Sequence, residues 1–305
     1  MLSNSHGLSE YDKQWHSIDD QLALLEERNL VINNKELAKQ FLSHIGYYRF
    51  SGYCLAFESS RHEFIEGTTF EAIKNSYLFD VNIRDAVTDS LEVIEFDVRA
   101  NVAHLFTANT SAFGHLDPNH FKPNFNHSDW LASLREEAER SKEKFVVHFQ
   151  GKYKGFPDLP FWMATEIASF GSVSKMYAGL KGTFQKPIAS LYNMQPQDFD
   201  SAIHHLCYIR NICAHHGRLW DRKWAIQPKL PKGKNWQNPL VPDRSRLFVT
   251  MLMINRIIKR CKGIDKFAIE WRRRISDLIK EPPALANSMK KMGLPEHWYQ
   301  HPYWR

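Results

Sequence analysis

The sequence predicts an all-α protein: a multi-helix bundle with an N-terminal helical region and a basic C-terminal helical extension. Three observations carry this. Glycine and proline number only 14 each in 305 residues, too few for the turn-dense plan of a sandwich or barrel. Apolar residues recur at spacings of three and four over long tracts, the periodicity of a helix with one buried face. A hydrophobic content of 43% supplies a sizeable core, at a length that suits one large domain or two closely packed ones.

Taken in order, Ser17-Ile18-Asp19-Asp20 reads as a helix start, with Ile18, Leu22 and Leu25 on one face of a segment continuing to Arg28. Asn33 or Asn34 caps a second helix, in which Leu37, Phe41 and Ile45 fall at i, i+4 and i+8. Gly46 ends it before the aromatic run Tyr47-Tyr48-Arg49-Phe50. Residues 58–67 read as a loop or short hairpin, and Thr68 or Thr69 as the cap of a long tract. Along it Val87, Leu91, Ile94, Val98, Val102 and Leu105 form a stripe for a packing partner, with an exit between Gly114 and Pro123. Ser128 to Phe149 reads as one charged amphipathic helix. A Pro/Gly loop, Lys152 to Pro160, precedes the apolar Phe161-Trp162-Met163-Ala164, which Gly171 kinks or ends. Pro196 opens a helix to about His216 that buries Ala202, Leu206, Ile209 and Cys213. Residues 217–242 form a loop rich in Pro, Lys and Trp, and 243–281 give two further basic helices. No repeat of fixed period occurs. The expected division is an N-terminal region 1–60, a core 61–220 and a basic C-terminal part 221–305, packed as one unit.

The N-terminal MLSNSHGLSEYDKQ has no apolar segment of the secretory kind, and Leu247 to Ile258 is interrupted by Thr250, Asn255 and Arg256. Cys54, Cys207, Cys213 and Cys261 form no CxxC pair. Reduced thiols in a cytoplasmic protein are the expectation, with no membrane partner. The net charge of +6 is unevenly distributed. Residues 221–305 hold 19 Lys and Arg against 7 Asp and Glu, while residues 1–220 hold 21 against 27. A basic third of this kind attracts polyanions by releasing their counterions, although it also suits a plain solvated surface.

Chemistry concentrates on the helix after Pro196. His204, Cys207, Asn211 and His215 fall at i, i+3, i+7 and i+11, which reads as one polar stripe. Arg210 precedes His215 by five positions, a rotation of about 500° that leaves the two side chains about 140° apart. The geometry calls for a cleft whose other wall is a second helix or a second protomer. Metal-free RNA cleavage needs a base for the 2′-hydroxyl proton, an acid for the 5′-oxygen and positive charge beside the phosphorane. Imidazole, guanidinium and a neighbouring amide are suitable parts. The bare spacing says little, because 18 Arg and 15 His in this chain yield roughly one such pair by chance. A second copy, Arg99-Ala100-Asn101-Val102-Ala103-His104, adds Arg99 and His104 as catalytic candidates. Glu95 would orient Arg99 or simply form an i, i+4 ion pair with it, and Asn101 would orient the second copy as Asn211 does the first. Glu92 and Glu95, one turn apart, do not make a glycosidase pair.

His216, Arg218, Arg222 and Lys223 are candidate RNA-binding residues just past the helix. His204, His205 and His216 with Cys207 or Cys213 are an alternative metal set, but His204 to Cys207 is only i, i+3 without a clear second pair. No metal and no cofactor are expected. Trp220, Trp224 and Trp236 alternate with basic residues as in single-strand binders. The competing reading, preferred for Trp220, Trp224 and Trp162, is that they anchor their segments on the core.

YIRNICAHHGRLWDR, residues 208–222, resembles the signature of the Abi family of abortive-infection proteins, the group that includes AbiD and AbiF. Further stretches resemble the family in order: QLALLEERNLVINN (21–34), IGYYRFSGYCLAF (45–57), FIEGTTFEAIKNSYLFDVNIRD (64–85), LPFWMATEIASFGSVSKMY (159–177) and MGLPEHWYQHPYW (292–304). Asn29 departs from the Gly expected after the first helix. The resemblance implies a helical bundle of the HEPN superfamily with an Arg-x4-His ribonuclease motif. Arg210, Asn211 and His215 match that motif, and such proteins commonly build the site across a dimer. The implied function is a metal-independent endoribonuclease of an antiphage or toxin–antitoxin system, acting on RNA, without DNA specificity, and restrained by a small-RNA or protein antitoxin. Two alternatives stay open: a non-catalytic RNA-binding or sensor protein, and a target for nucleotidyl transfer by a partner enzyme.

Overall fold

The computed structural model describes residues 14–280 and 288–305, so most of the N-terminal stretch read for secretion lies outside the described residues. It is an all-α fold, with a single two-stranded sheet among the described residues. The chain forms two compact units, the first reaching Leu78 and the second beginning at Phe79.

In the first unit, α1 (Ile18–Glu27) starts with a full capping box. The Ser17 hydroxyl accepts the Asp20 N–H, and the Asp20 carboxylate accepts the Ser17 N–H. Asn29 follows α1 at φ +67°, a left-handed position that glycine fills without strain and asparagine tolerates. Asn34 caps α2 (Lys35–Ile45), and Gly46 at φ +79° ends it. The aromatic run continues as a further helix, α3 (Tyr47–Cys54). Strands β1 (Glu58–Ser60) and β2 (Glu63–Phe64) pair antiparallel as the short hairpin. Thr69, whose hydroxyl accepts the Ala72 N–H, caps α4 (Phe70–Ala108). Phe50 and Phe70 stack at 4.6 Å as the unit's fully buried centre, with Phe41 edge-on to both and Tyr77 edge-on to Phe41.

The second unit takes up the rest of α4. Val87, Leu91, Ile94, Val98 and Val102 are buried as the stripe requires, and at the helix end Phe106 is buried while Leu105 is partly exposed. The single helix expected from Ser128 to Phe149 is two, α5 (His127–Arg140) and α6 (Lys144–Lys152). Ser141 is extended and its hydroxyl accepts the Glu143 N–H, the side-chain competition that breaks helices. Next, α7 (Phe161–Ile167) gives way to α8 (Phe170–Gly179) at Ala168-Ser169, where the Ser169 hydroxyl accepts the Ser172 N–H. Gly171 therefore lies inside α8, and a serine cap makes the break. Trp162, expected in the core, is half exposed. Adjacent residues on a helix point about 100° apart, and here Phe161 takes the inward direction.

After α9 (Gly182–Leu191), α10 (Pro196–Ala214) packs against α8, α9 and α11 (Leu247–Ile258). Every residue of α11 except Arg256 is buried, so it is a core helix rather than the basic surface helix read from its flanks. The basic face belongs to α12 (Asp265–Lys280), which buries Ala268, Trp271, Ile275 and Ile279. The Trp271 indole donates to the Ala86 carbonyl of α4 at 2.8 Å. A last short helix, α13 (Ser288–Lys291), precedes the C-terminal segment. No helix among the described residues is long and apolar enough to cross a membrane.

Candidate functional site

The polar edge of α10 is narrower than its spacing suggests. His204, Arg210, Asn211, Ala214 and His215 are exposed, whereas Cys207 is buried and its thiol donates to the Phe170 carbonyl. Burial pushes the Cys207 thiol up to about 12, far from a reactive thiolate. His205 is fully buried. Its Nδ1 donates to the Ile226 carbonyl at 2.7 Å, which leaves Nε2 to accept the Thr250 hydroxyl at 2.8 Å. Its neighbours in the histidine–cysteine cluster thus point in different directions. No group of three His, Cys, Asp or Glu side chains among the described residues gathers to hold a metal ion.

The helix ends on a Schellman motif built from the signature itself. His215 is the cap, His216 adopts φ +51°, and its N–H donates to the Cys213 carbonyl at 2.9 Å. The Gly217 N–H donates back to Ile212 at 2.8 Å. Gly217 is required by closeness: a Cβ there would stand 2.9 Å from Ile212 Cγ2 and 3.1 Å from its carbonyl oxygen.

The two arginines of the two Arg-x4-His copies meet at one carboxylate. Glu95 Oε1 accepts Arg99 Nη2 at 2.6 Å, and Glu95 Oε2 lies 3.6 Å from Arg210 Nε. Their situations differ. Arg99 is buried, and its Nη1 also donates to the Thr165 and Glu166 carbonyls in the last turn of α7, both at 2.8 Å. Arg210 keeps 48% of its side chain exposed and holds only the looser charge contact. Breaking a buried pair costs about 3–5 kcal/mol, an exposed one about 1 or less. Arg99 is therefore locked as a brace for Glu95, and Arg210 is the cation an incoming anion can recruit.

Arg210, Cys213 and Ala214 form one wall of a groove whose other wall is Thr88, Leu91, Glu92, Glu95 and Phe96 of α4. His215 does not line it, as the angular offset along α10 requires. Nor does His104 join His215. Helices α4 and α10 run antiparallel, with Asp80 meeting Leu219, Glu95 meeting Arg210 and Asp97 meeting Tyr192. Nine residues beyond Glu95 one way and five beyond Arg210 the other separate the two histidines by about 20 Å along the axes. Asn101 is engaged away from the groove, donating to Asp97 and the Tyr192 hydroxyl.

Past the helix, Trp220 is fully buried and Trp224 nearly so, and the Trp224 indole donates to the Arg246 carbonyl. Both anchor the loop on the core. Arg218 and Arg222 are partly exposed and Lys223 exposed. Asp221 pairs with Arg246 at 2.9 Å and Lys291 at 3.6 Å, not with Arg222.

Sequence reasoning overlooked Asp80 and Arg84. Asp80 is fully buried on α4, and its Oδ1 accepts the N–H groups of Leu219 at 2.9 Å and Trp220 at 2.6 Å. Its Oδ2 takes Arg84 Nη1 at 3.1 Å, which also reaches the Gly217 carbonyl at 3.5 Å. This buried pair clamps the segment that leaves the signature. The available signal was two opposite charges, four apart, in register with the apolar stripe of α4.

The fold and the site together define an all-α protein that presents Arg, Asn and His side chains at the carbonyl end of one core helix. The family model described as Abi-like protein matches residues 40–221, more than half of the chain and a span that includes Asp80, Glu95 and the Arg210–His215 segment. This chain belongs to the Abi-like protein family. No curated protein and no solved structure matches it.

Proposed function

We propose that this Abi-like protein is an abortive-infection ribonuclease of the HEPN type, cleaving RNA without a metal in the cytoplasm. The observation that supports the reading best is the joint exposure of Arg210, Asn211 and His215 over the last turn and cap of α10, with Arg210 held loosely by Glu95. Arg210 binds the scissile phosphate through its fork of donors, and Asn211 orients it. His215 moves the proton: the 2′-oxygen attacks phosphorus, the bond to the 5′-oxygen breaks, and the products are a 2′,3′-cyclic phosphate and a 5′-hydroxyl. DNA lacks the attacking group and is spared. His216, Arg218, Arg222 and Lys223 grip the flanking phosphates. A second copy of the chain supplies the facing acid or base, since the chain's own His104 lies about 20 Å off. A small RNA or a protein antitoxin restrains the activity.

The test is incubation of the full chain with single-stranded RNA in excess EDTA. Cleavage to cyclic-phosphate ends is expected, falling at least about 100-fold in Arg210→Ala and in His215→Ala, with partial recovery when the two variants are mixed. Intact RNA, bound equally by wild type and both variants, would overturn this reading in favour of an RNA-holding protein.

A further inference from the structure

The second unit carries a basic pocket that shares no residue with the Arg210 groove. It occupies about 440 Å³ and is lined by Tyr192, Asn193, Arg256, Lys259, Arg260, Pro302 and Tyr303. Three of those side chains are cations and none is an acid. No Asp or Glu side chain pairs with Arg256, Lys259 or Arg260 among the described residues.

Arg256 is the organised member. It is the one residue of α11 not fully buried in the core. Its guanidinium lies over the Tyr303 ring, 4.9 Å from the centroid, and Nη2 donates to the Asn193 carbonyl at 2.8 Å. Trp236 stacks behind Tyr303 at 5.1 Å and fixes that ring. Nη1 is buried without an acceptor. A charged donor withdrawn from water and left without a partner is costly, so something other than internal pairing accounts for its retention. Lys259 donates to the main-chain oxygen of Arg305. Its pKa is lowered by burial and by the neighbouring Arg272, and that of Arg256 by burial. At Arg256 the nearby Asp198 opposes the effect of burial without pairing with the guanidinium.

We propose that Arg256, Lys259 and Arg260 form a phosphate-binding site, oriented by Asn193 and Tyr303. Three cations lining one pocket, one of them a planar guanidinium fork, suit a tetrahedral dianion or phosphodiester. Tyr303 is already engaged by Arg256 and by the stacked Trp236, so the site is read as one for the phosphate and not for a stacked base. The phosphate can come from a free anion or nucleotide, or from a nucleic-acid backbone.

Inorganic phosphate titrated calorimetrically into the full chain at constant ionic strength tests the proposal, alongside anisotropy of a labelled single-stranded RNA. Saturable phosphate or RNA binding is expected, weakened at least about tenfold in the exposed double variant Lys259→Gln/Arg260→Gln and unchanged in the control Lys142→Gln/Lys144→Gln. Arg256→Gln should act the same way, and the exposed pair keeps the test valid if that packed variant misfolds. An equal loss of RNA affinity, with phosphate competing, identifies the backbone as the source. Loss of phosphate binding alone identifies a free phosphate or nucleotide. Absence of saturable binding by either probe, or equal effects of the two double variants, would overturn the proposal. The readout is binding and not cleavage, so the result stands apart from the fate of His215.

Discussion

Glu95 sorts two motifs of the same Arg-x4-His spacing into different roles by what surrounds each arginine. Arg99 spends its donors on Glu95 and on two carbonyls of α7, and Arg210 faces outward. Stability and activity should therefore separate. Arg99→Ala leaves a buried carboxylate and two helix carbonyls without their donor and is expected to cost about 3–5 kcal/mol in denaturant unfolding. Arg210→Ala should cost about 1 kcal/mol or less while lowering the proposed RNA cleavage at least about 100-fold. Equal unfolding midpoints for the two variants would show that the buried pair does not hold α4 to α7. The Arg-x4-His spacing was legible in the sequence, but the difference between its copies was not, because it depends on Thr165 and Glu166, far away in the chain.

At the scale of elements, the end of α10 combines a required glycine with an unusual histidine. His216 sits where helices ordinarily place glycine, and a side chain in the left-handed region costs about 1 kcal/mol. His216→Gly is thus expected to raise the melting temperature by about 2 °C and to weaken RNA binding. A lowered melting temperature would mean that the imidazole's own contacts outweigh the backbone strain. Helices with capping residues and strict apolar periodicity were readable in advance: α1 from its capping box, α2 from Asn34 and Gly46, α4 from its stripe. Breaks made by a side chain bonding to nearby backbone, at Ser141 and Ser169, were hidden inside patterns that remain helical in periodicity. In α11, a flanking charge pattern masked a helix whose own residues are nearly all core.

At the scale of the whole molecule, burial keeps three histidines among the described residues neutral. His115, His205 and His301 are each pushed down to about 4. The unfolded chain binds protons near 6.5 and the folded chain does not, so their contribution is complete above about pH 6.5 and is lost as pH falls towards 4. Thermal unfolding followed from pH 7.5 to 5 should hold level to about pH 6.5 and then drop by several degrees, and Thr250→Val, which removes the hydroxyl donor to His205, should lower the curve at all pH values. A pH-independent melting temperature over that range would contradict the buried neutral state. The Asp80 clamp adds a constraint of a different kind, one of timing. Its partners, Leu219 and Trp220, lie 139 and 140 residues later in the chain, so the segment after His215 cannot be fixed until the ribosome has delivered both ends. The exit from the signature helix therefore takes its final form only late in synthesis, whatever the rest of the fold has already reached.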